Sequence, residues 1–470
     1  MTTSKSKLRS FYTVTLLILF AIFSGVLLWG GCGGGGEQTL YEGSGETSGG
    51  ESSGTWERIA LTRIDAGGML NPRVQAEWDS NGQVHVLYFT DSNDPAHDYS
   101  INYLVWDSRG LLYRTGDDQG TVIDTEPVVD IDNCMALAFS LDKEGIPVVA
   151  YRGGRIRNCG QEQQSDAMLI IRGNSGWEEY TGAIGVVERN PFFGDGLAGT
   201  EVSVILDSKG DIHLCYQFFY EGCDAMNYQY PDLCYVKRTR SALDDEVIEE
   251  TVEGNQYGSL NIQNHVGDHC VIALDDEENP VIFYYAAIPG GDKGLRVARK
   301  MNGTWKKEWI EKGCEVGGIT CARWDEIGYL GVAYYVEQYT NGRDDRHCLR
   351  YAEVLPSGWK IEDSEEESSS WDVRMVDDSA WCGKYCSLAF DFWGFPAIAY
   401  YEIRPHSGST LDLLNNNLKI ARFDGESWKK EVVAFQGDIG LYNSLWFDPN
   451  DRIFICSFSN TQKEIDIFYR

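Results

Sequence analysis

LAFDFWGFPAIAYY, residues 388–401, is the stretch whose reading decides the fold. An apolar run enters Asp391, two residues pass, Gly394 follows, and an alternating apolar run ends in Tyr. Asp at the first position of a tight turn and Gly at the fourth suit a type I turn closed by a bulge. The flanking residues are of the β-branched and aromatic kind that builds strands. Behind this hairpin comes LKIARFDGESWKKEVV (418–433), a second strand pair around a short Gly-containing turn. The unit is therefore four antiparallel strands.

The same unit recurs along the chain: AEWDSNGQVHVLYF, AFSLDKEGIPVVAYR, VILDSKGDIHLCYQ, IALDDEENPVIFYY, ARWDEIGYLGVAYY and LWFDPNDRIFICSF. Its anchoring aspartates are Asp79, Asp142, Asp207, Asp275, Asp325, Asp391 and Asp448, which span 369 residues in six intervals, a period of about 61. Gly fills the fourth turn position except at Glu278 and Asp451. Third strands read INYLVW, MLIIR, LCYVKR, LRVARK, LRYAEV and LKIARF, and fourth strands commonly begin with Trp (Trp177, Trp305, Trp359, Trp428). Four antiparallel strands repeated radially make the blade of a propeller. After the seventh Asp hairpin only EIDIFYR (464–470) fits, so GTWERIAL (54–61) is expected to supply the missing fourth strand and lock the ring. The reading is all-β: a seven-bladed β-propeller over residues 55–470, its C-terminal blade completed by the N-terminal strand.

Upstream, Lys5, Lys7 and Arg9 precede an apolar run from Phe11 to Leu28 and the sequence Trp29-Gly30-Gly31-Cys32. That order reads as an export signal over residues 1–32, with an uncleaved transmembrane anchor as the alternative. The Gly-Gly-Cys ending resembles a bacterial lipobox, which implies lipidation at Cys32 and places the rest of the chain at the cell envelope, facing the periplasm or exterior. Residues 33–54 are nearly all Gly, Ser, Glu and Thr, a flexible tether. A formal net charge of -32 repels nucleic acid and anionic lipid, so no nucleic-acid partner is expected. Thirteen cysteines, less Cys32, leave an even number for an oxidising compartment. Cys134 with Cys159 and Cys223 with Cys234 bracket single loops and are the first candidates for disulfides.

The repeats resemble those of bacterial extracellular propellers and, more broadly, sialidase-like BNR-repeat propellers, over residues 55–470. The sialidase Asp box, S-x-D-x-G-x-x-W, is missing: the corresponding turns read FDGESW and MNGTW. The resemblance therefore implies the fold and not sialidase activity.

Loop lengths alternate. Turns within hairpins are short and share one face, whereas the connections from strand two to three and between blades are long and share the other. The long-loop face is expected to present Arg155, Arg157, Tyr228, Tyr230, Arg343, Asp345, His347, Trp371 and Arg404, a mixture suited to a polar ligand. Equivalent positions within the repeat argue against other candidates. His85 and His213 share a position that is apolar or Gly elsewhere, and Tyr88, Tyr151, Tyr216, Tyr284, Tyr334 and Tyr400 recur in register, so all are expected to be packing residues. His265 and His269 are spaced four apart but on a Gly-containing connection, not a helix, so no zinc site is expected. No catalytic motif is present. The leading expectation is thus a non-catalytic module that displays its long-loop face to an extracellular glycan, a peptide or an envelope protein. The alternative is a glycoside hydrolase or lyase on an acidic polysaccharide, which requires a charged funnel at the ring axis. No cofactor is expected beyond Ca2+ on the acidic runs at 344–345, 362–367 and 377–378.

Overall fold

The computed structural model describes residues 55–64, 73–94, 96–108, 121–131, 136–153, 166–173, 175–183, 196–221, 229–243, 249–253, 266–288, 292–325, 328–339, 347–355, 359, 367, 370–379, 381–403 and 416–470. Residues 1–54, with the expected export signal, Cys32 and the expected tether, lie outside them. Seven four-stranded antiparallel sheets follow one another, with no helix among the described residues. The first blade runs Val74–Trp78, Gln83–Asp91, Tyr99–Asp107 and Thr121–Ile131. Blades two to six repeat that order. The seventh takes Ile439–Phe447, Ile453–Ser459 and Glu464–Tyr469, and its fourth strand is Glu57–Arg63. First strands touch first strands around the ring, so they line its axis.

The turn aspartates do what their position demands. In all seven, the Asp amide donates to the carbonyl four residues on, and the amide three residues on donates back to the Asp carbonyl. In six of them Oδ1 also accepts the amides two and four residues on, at 2.7–3.0 Å. Asp325 accepts that of Tyr329 at 2.7 Å. The fourth position has φ between 62° and 91° in every blade, including the non-glycines Glu278 and Asp451. Such a carboxylate replaces side-chain-free turn chemistry with a local acceptor.

The recurrent tryptophans and tyrosines fasten the seams. Trp177 donates its indole N–H to Glu126 of the first blade at 2.9 Å, and Trp305 to Glu250 of the third at 3.1 Å. Trp359 reaches Glu308 of the fourth at 2.5 Å, and Trp428 stands edge-on against Tyr351 of the fifth. The six register tyrosines are 0–6% exposed. In three consecutive seams a second-strand Tyr and the third-strand cation opposite it meet one carboxylate of the preceding blade. Tyr284 and Arg296 meet Glu253, Tyr334 and Arg350 meet Glu311, and Tyr400 and Lys419 meet Asp377. Asp377 is fully buried and also holds Lys430 at 2.9 Å. The acidic pair at 377–378 therefore spends its inner member on two lysines, not on calcium.

No disulfide joins the eight cysteines whose side chains are described. Cys234, expected to pair with Cys223, packs in a core cluster with Leu214, Tyr216 and Val236. Cys134, Cys159 and Cys223 lie outside the described residues. Cys215, Cys234, Cys270, Cys314, Cys348, Cys382, Cys386 and Cys456 are buried and act as small apolar fillers, and the hydrogen bond with the Cys215 thiol, together with burial, pushes the Cys270 thiol well up.

Ring closure carries one unusual group. Asp466 of the third strand is buried, with the Arg58 guanidinium 2.8 Å away but in poor alignment for a hydrogen bond. Burial pushes its carboxyl up to about 6, from 3.8. The folded state thus holds this proton more tightly than the unfolded chain, and stability falls as pH rises from about 4 to about 6. Asp466→Asn is expected to remove that component, about 2–3 kcal/mol across the window. Urea unfolding at the two ends of the window checks it, and an unchanged difference between wild type and variant refutes it.

Candidate functional site

One register position collects the chemistry. The residue six before each turn Asp is Arg73, Ala136, Glu201, His269, Ile319, Tyr385 or Tyr442 in blades one to seven. It lies just before the innermost strand in the first two blades and three to five residues inside it in the other five, so the seven residues stand at one level around the axis, on the side where the long connections arrive. Ala136 and Ile319 are buried, while the five polar members are half-buried.

The backbone explains how three of them are presented. Gly267 and His269, Gly383 and Tyr385, and Gly440 and Tyr442 all have positive φ, at 90° and 56°, 112° and 51°, 104° and 53°. The strand register slips twice at each of these places. A Cβ on Gly383 would lie 3.0 Å from Leu349, and one on Gly440 3.0 Å from the Asn417 carbonyl oxygen. Glycine therefore lets the inner strand press on the preceding blade, and the bulge turns the next-but-one side chain toward the mouth. Non-glycine residues held in the left-handed region in three equivalent places store strain of the kind found at functional sites.

Contacts across the ring show convergence. Arg73 of the first blade acts electrostatically on Glu201 of the third and on Tyr385 of the sixth, skipping a blade each way. Its guanidinium is thus within electrostatic reach of both, and Ala136 between Arg73 and Glu201 adds little bulk there. His269 Nδ1 lies 4.0 Å from Glu201 Oε1. The Tyr385 and Tyr442 rings are 4.6 Å apart between centroids, and their hydroxyls interact. Glu201 sits in a narrow mouth: 31% of its side chain reaches solvent, yet the crowding of protein around it raises its carboxyl pKa, against the opposing pull of His269 and Arg73. Burial likewise raises Tyr385. A carboxyl whose pKa is raised by burial, an imidazole, a guanidinium and two phenol rings thus share one opening.

The residues anticipated on the long loops fare unevenly. Arg155, Arg157, Tyr228, Arg343, Asp345 and Arg404 lie outside the described residues. Tyr230 pairs with Tyr220 in the third blade. His347 is half-buried near the mouth, its Nδ1 2.5 Å from the Tyr335 hydroxyl and its ring stacked at 3.7 Å on Trp381. Trp371 is 6% exposed, donates to Glu308 at 2.9 Å and packs edge-on against Trp359 and Phe283. It is a seam residue, because Glu308 needs donors for its buried carboxylate. His269 stands on an inner strand, Val266–Leu274, and not in a connection. His85 and His213 are packed, at 4% and 2% exposure. Arg73, Glu201, Tyr385 and Tyr442 escaped the sequence reading and His269 was weighed only as a zinc ligand, although VGDH, CGKY and IGLY before three turn aspartates spell the bulge that presents His269, Tyr385 and Tyr442.

The chain is a seven-bladed β-propeller with a polar axial mouth, and its likeness to solved structures is of that order. No sequence family and no curated protein matches it. A polysaccharide lyase of the PL25 ulvan lyase family is 12% identical over 87% of this chain and 95% of that one, with a TM-score of 0.48. The Penicillium chrysogenum alpha-L-arabinanase is 12% identical over 88% and 97%, at 0.45. The NanB sialidase of Streptococcus pneumoniae is 11% identical over 87% and 70%, at 0.38. The shared property is the propeller.

Proposed function

We propose that this propeller, held at the cell envelope by a lipid on Cys32, acts on an acidic polysaccharide at its axial mouth by β-elimination. The observation that carries the reading is the convergence of Arg73, Glu201 and His269 from three blades. Arg73 pairs with the carboxylate of a uronate and stabilises the charge that develops there. His269 takes the proton from the carbon beside that carboxylate. The adjacent glycosidic C–O bond breaks as the C=C bond forms, and Glu201, whose carboxyl holds its proton more tightly than an ordinary carboxyl does, stands beside His269 to give a proton to the departing oxygen. Tyr385 and Tyr442 offer ring faces to the sugar. Hydrolysis is less well served, since it calls for two facing carboxylates. Among the described ring positions Glu201 is the one carboxylate, and the nearby Asp268 is engaged by the Gln217 amide.

The test is incubation of the protein with polyuronates and sulfated uronate glycans, read by the ultraviolet absorbance of the unsaturated product. His269→Ala and Glu201→Gln are each expected to lower kcat by about 100-fold or more, with the circular dichroism spectrum intact. Saturable binding without turnover returns the non-catalytic reading. Neither binding nor turnover on any acidic glycan overturns the site.

A further inference from the structure

A second opening lies on the opposite face, between the first two blades. Its cavity, about 370 Å³, is lined by Asp79, His85, Val105, Asp124, Glu144 and Arg172 among others. Arg172 is already engaged, 2.5 Å from Asp124 and 3.0 Å from Glu126. His85 is 4% exposed, and its Nδ1 meets the Tyr103 hydroxyl. Its Nε2 faces the cavity without a hydrogen-bond partner, 3.5 Å from Asp79 Oδ2. Burial pushes this imidazole's pKa down, so it does not serve as the counterion of Asp79.

The repeat itself shows what that counterion should be. In the third blade Lys237, opposite His213 in the strand register, puts its ammonium 2.7 Å from Asp207 Oδ2, and Asp207, His213 and Tyr235 otherwise reproduce Asp79, His85 and Tyr103. In the fourth blade Arg299 occupies the same register and lies 2.7 Å from Asp275 Oδ2. Arg452 reaches Asp448 at 2.7 Å and Arg240 reaches Asp142 at 3.7 Å. In the first blade the register residue is Val105. Asp79, buried at 6% exposure, has no Lys or Arg within ion-pair distance among the described residues. A buried carboxylate without a counterion is costly unless something supplies one. Its Oδ1 accepts the backbone amides of Asn81 and Gln83, and Oδ2, the atom that carries the cation in the third and fourth blades, accepts the Asn81 side-chain amide at 3.1 Å.

We propose that this cavity binds a small organic ammonium ion, a primary alkylamine whose head group sits on Asp79 as Lys237 sits on Asp207. The cavity has room for the aliphatic part, and Val105 and Ile146 give it apolar wall. Asp124 and Glu144 add negative potential that Arg172 only partly offsets.

The experiment is calorimetric titration of the full chain with n-butylamine at low salt, with n-butanol as the neutral control. Binding of the amine and not of the alcohol is expected. Val105→Lys, which installs the internal cation of the third blade, is expected to weaken amine binding at least tenfold and to raise Tm. Asp79→Asn keeps the turn acceptor and is expected to abolish binding. Equal affinity for the alcohol, no detectable amine binding to the wild type, or undiminished binding to a folded Val105→Lys variant each overturns the proposal. N-acetyl-lysine amide, run alongside, separates a free amine from a lysine side chain as source: tighter binding of n-butylamine supports the small ligand, and tighter binding of the lysine derivative overturns it in favour of a peptide.

Discussion

Replacing Asp377 with alanine destabilises the propeller by about 3–5 kcal/mol, the range for removing one member of a buried ion pair. Five side-chain and backbone donors converge on this carboxylate: Tyr400 at 2.6 Å, Lys419 and Lys430 at 2.9 Å, and the amide and hydroxyl of Ser379. Without it Lys419, itself buried, keeps one carboxylate among the described residues, Glu402 at 2.8 Å. The lysines beside Asp377 hold its carboxyl below the usual carboxylate range, against the upward push of burial. For a depressed carboxyl the stabilisation is present above the unfolded-state value near 4 and is lost as pH falls through the folded value. The Asp377→Ala deficit is therefore expected to be full at neutral pH and to shrink only in strong acid, the reverse of the trend at Asp466. Chemical denaturation of wild type and variant across pH measures both. A loss below about 1 kcal/mol at neutral pH, as for an exposed pair, refutes the assignment of Asp377 as the tie between the fifth and sixth blades. Asp377→Ala with Lys419→Met, which removes the stranded charge as well, is expected to recover part of the loss.

That knot shows why some of this molecule was legible in the sequence and some was not. The blade count followed from Asp391 and its six counterparts because a tight turn imposes its residue type locally, within five positions. Trp177, Trp305 and Trp428, near the start of their fourth strands, were visible for the same reason, whereas the fourth strand of the fifth blade is Asp372–Asp377, so Trp371 and not Trp359 precedes it. Asp377, by contrast, looked like one acid among many. Its partners Tyr400, Lys419 and Lys430 lie 23 to 53 residues away, and only the seam brings them together. The axial mouth was harder still. Arg73, Glu201 and His269 are ordinary residues at ordinary spacings until the ring places them face to face. What could have exposed them is the comparison already applied to His85 and His213, one step earlier in the repeat. A position holding Arg, Ala, Glu, His, Ile, Tyr and Tyr in one structural role is not specified by packing. Attention went instead to the long loops, because their polarity is conspicuous, and Trp371 shows the hazard: an aromatic residue in an acidic, irregular stretch turned out to be a seam residue satisfying Glu308.

A chain lacking residues 55–64 loses cooperative folding altogether. The strand Glu57–Arg63 pairs from Glu57 with Tyr469 to Arg63 with Glu464, and Ile64 donates its amide to the Lys463 carbonyl at 2.7 Å. It buries Trp56, Ile59 and Ile64 to 8% exposure or less. At about 1.5–3 kcal/mol per large apolar side chain, these three alone rival the 5–15 kcal/mol that a domain typically has in hand. Trp56 also stacks under Arg470, which in turn pairs with Glu431 of the sixth blade at 2.7 Å, so the strand secures two blades. Every other blade is joined to its neighbours by continuous chain, and here alone the ring depends on a strand returning from the other end. Removal also strips Arg58 from the buried Asp466, leaving an exposed sheet edge beside a carboxyl that is no longer paired. The expected result is a broad, non-cooperative unfolding profile and rapid proteolysis of the truncated chain. A synthetic peptide of residues 54–64 added back should restore a sharp transition in proportion to its concentration. If the truncated chain instead unfolds as sharply as the full one, within about 2 kcal/mol, the ring is held by its six covalent seams and the closing strand is dispensable. Ile59→Asp is the finer version of the test. It leaves the chain whole, places a charge in the cluster with Trp106 and Ile467, and is expected to cost about 3 kcal/mol or more.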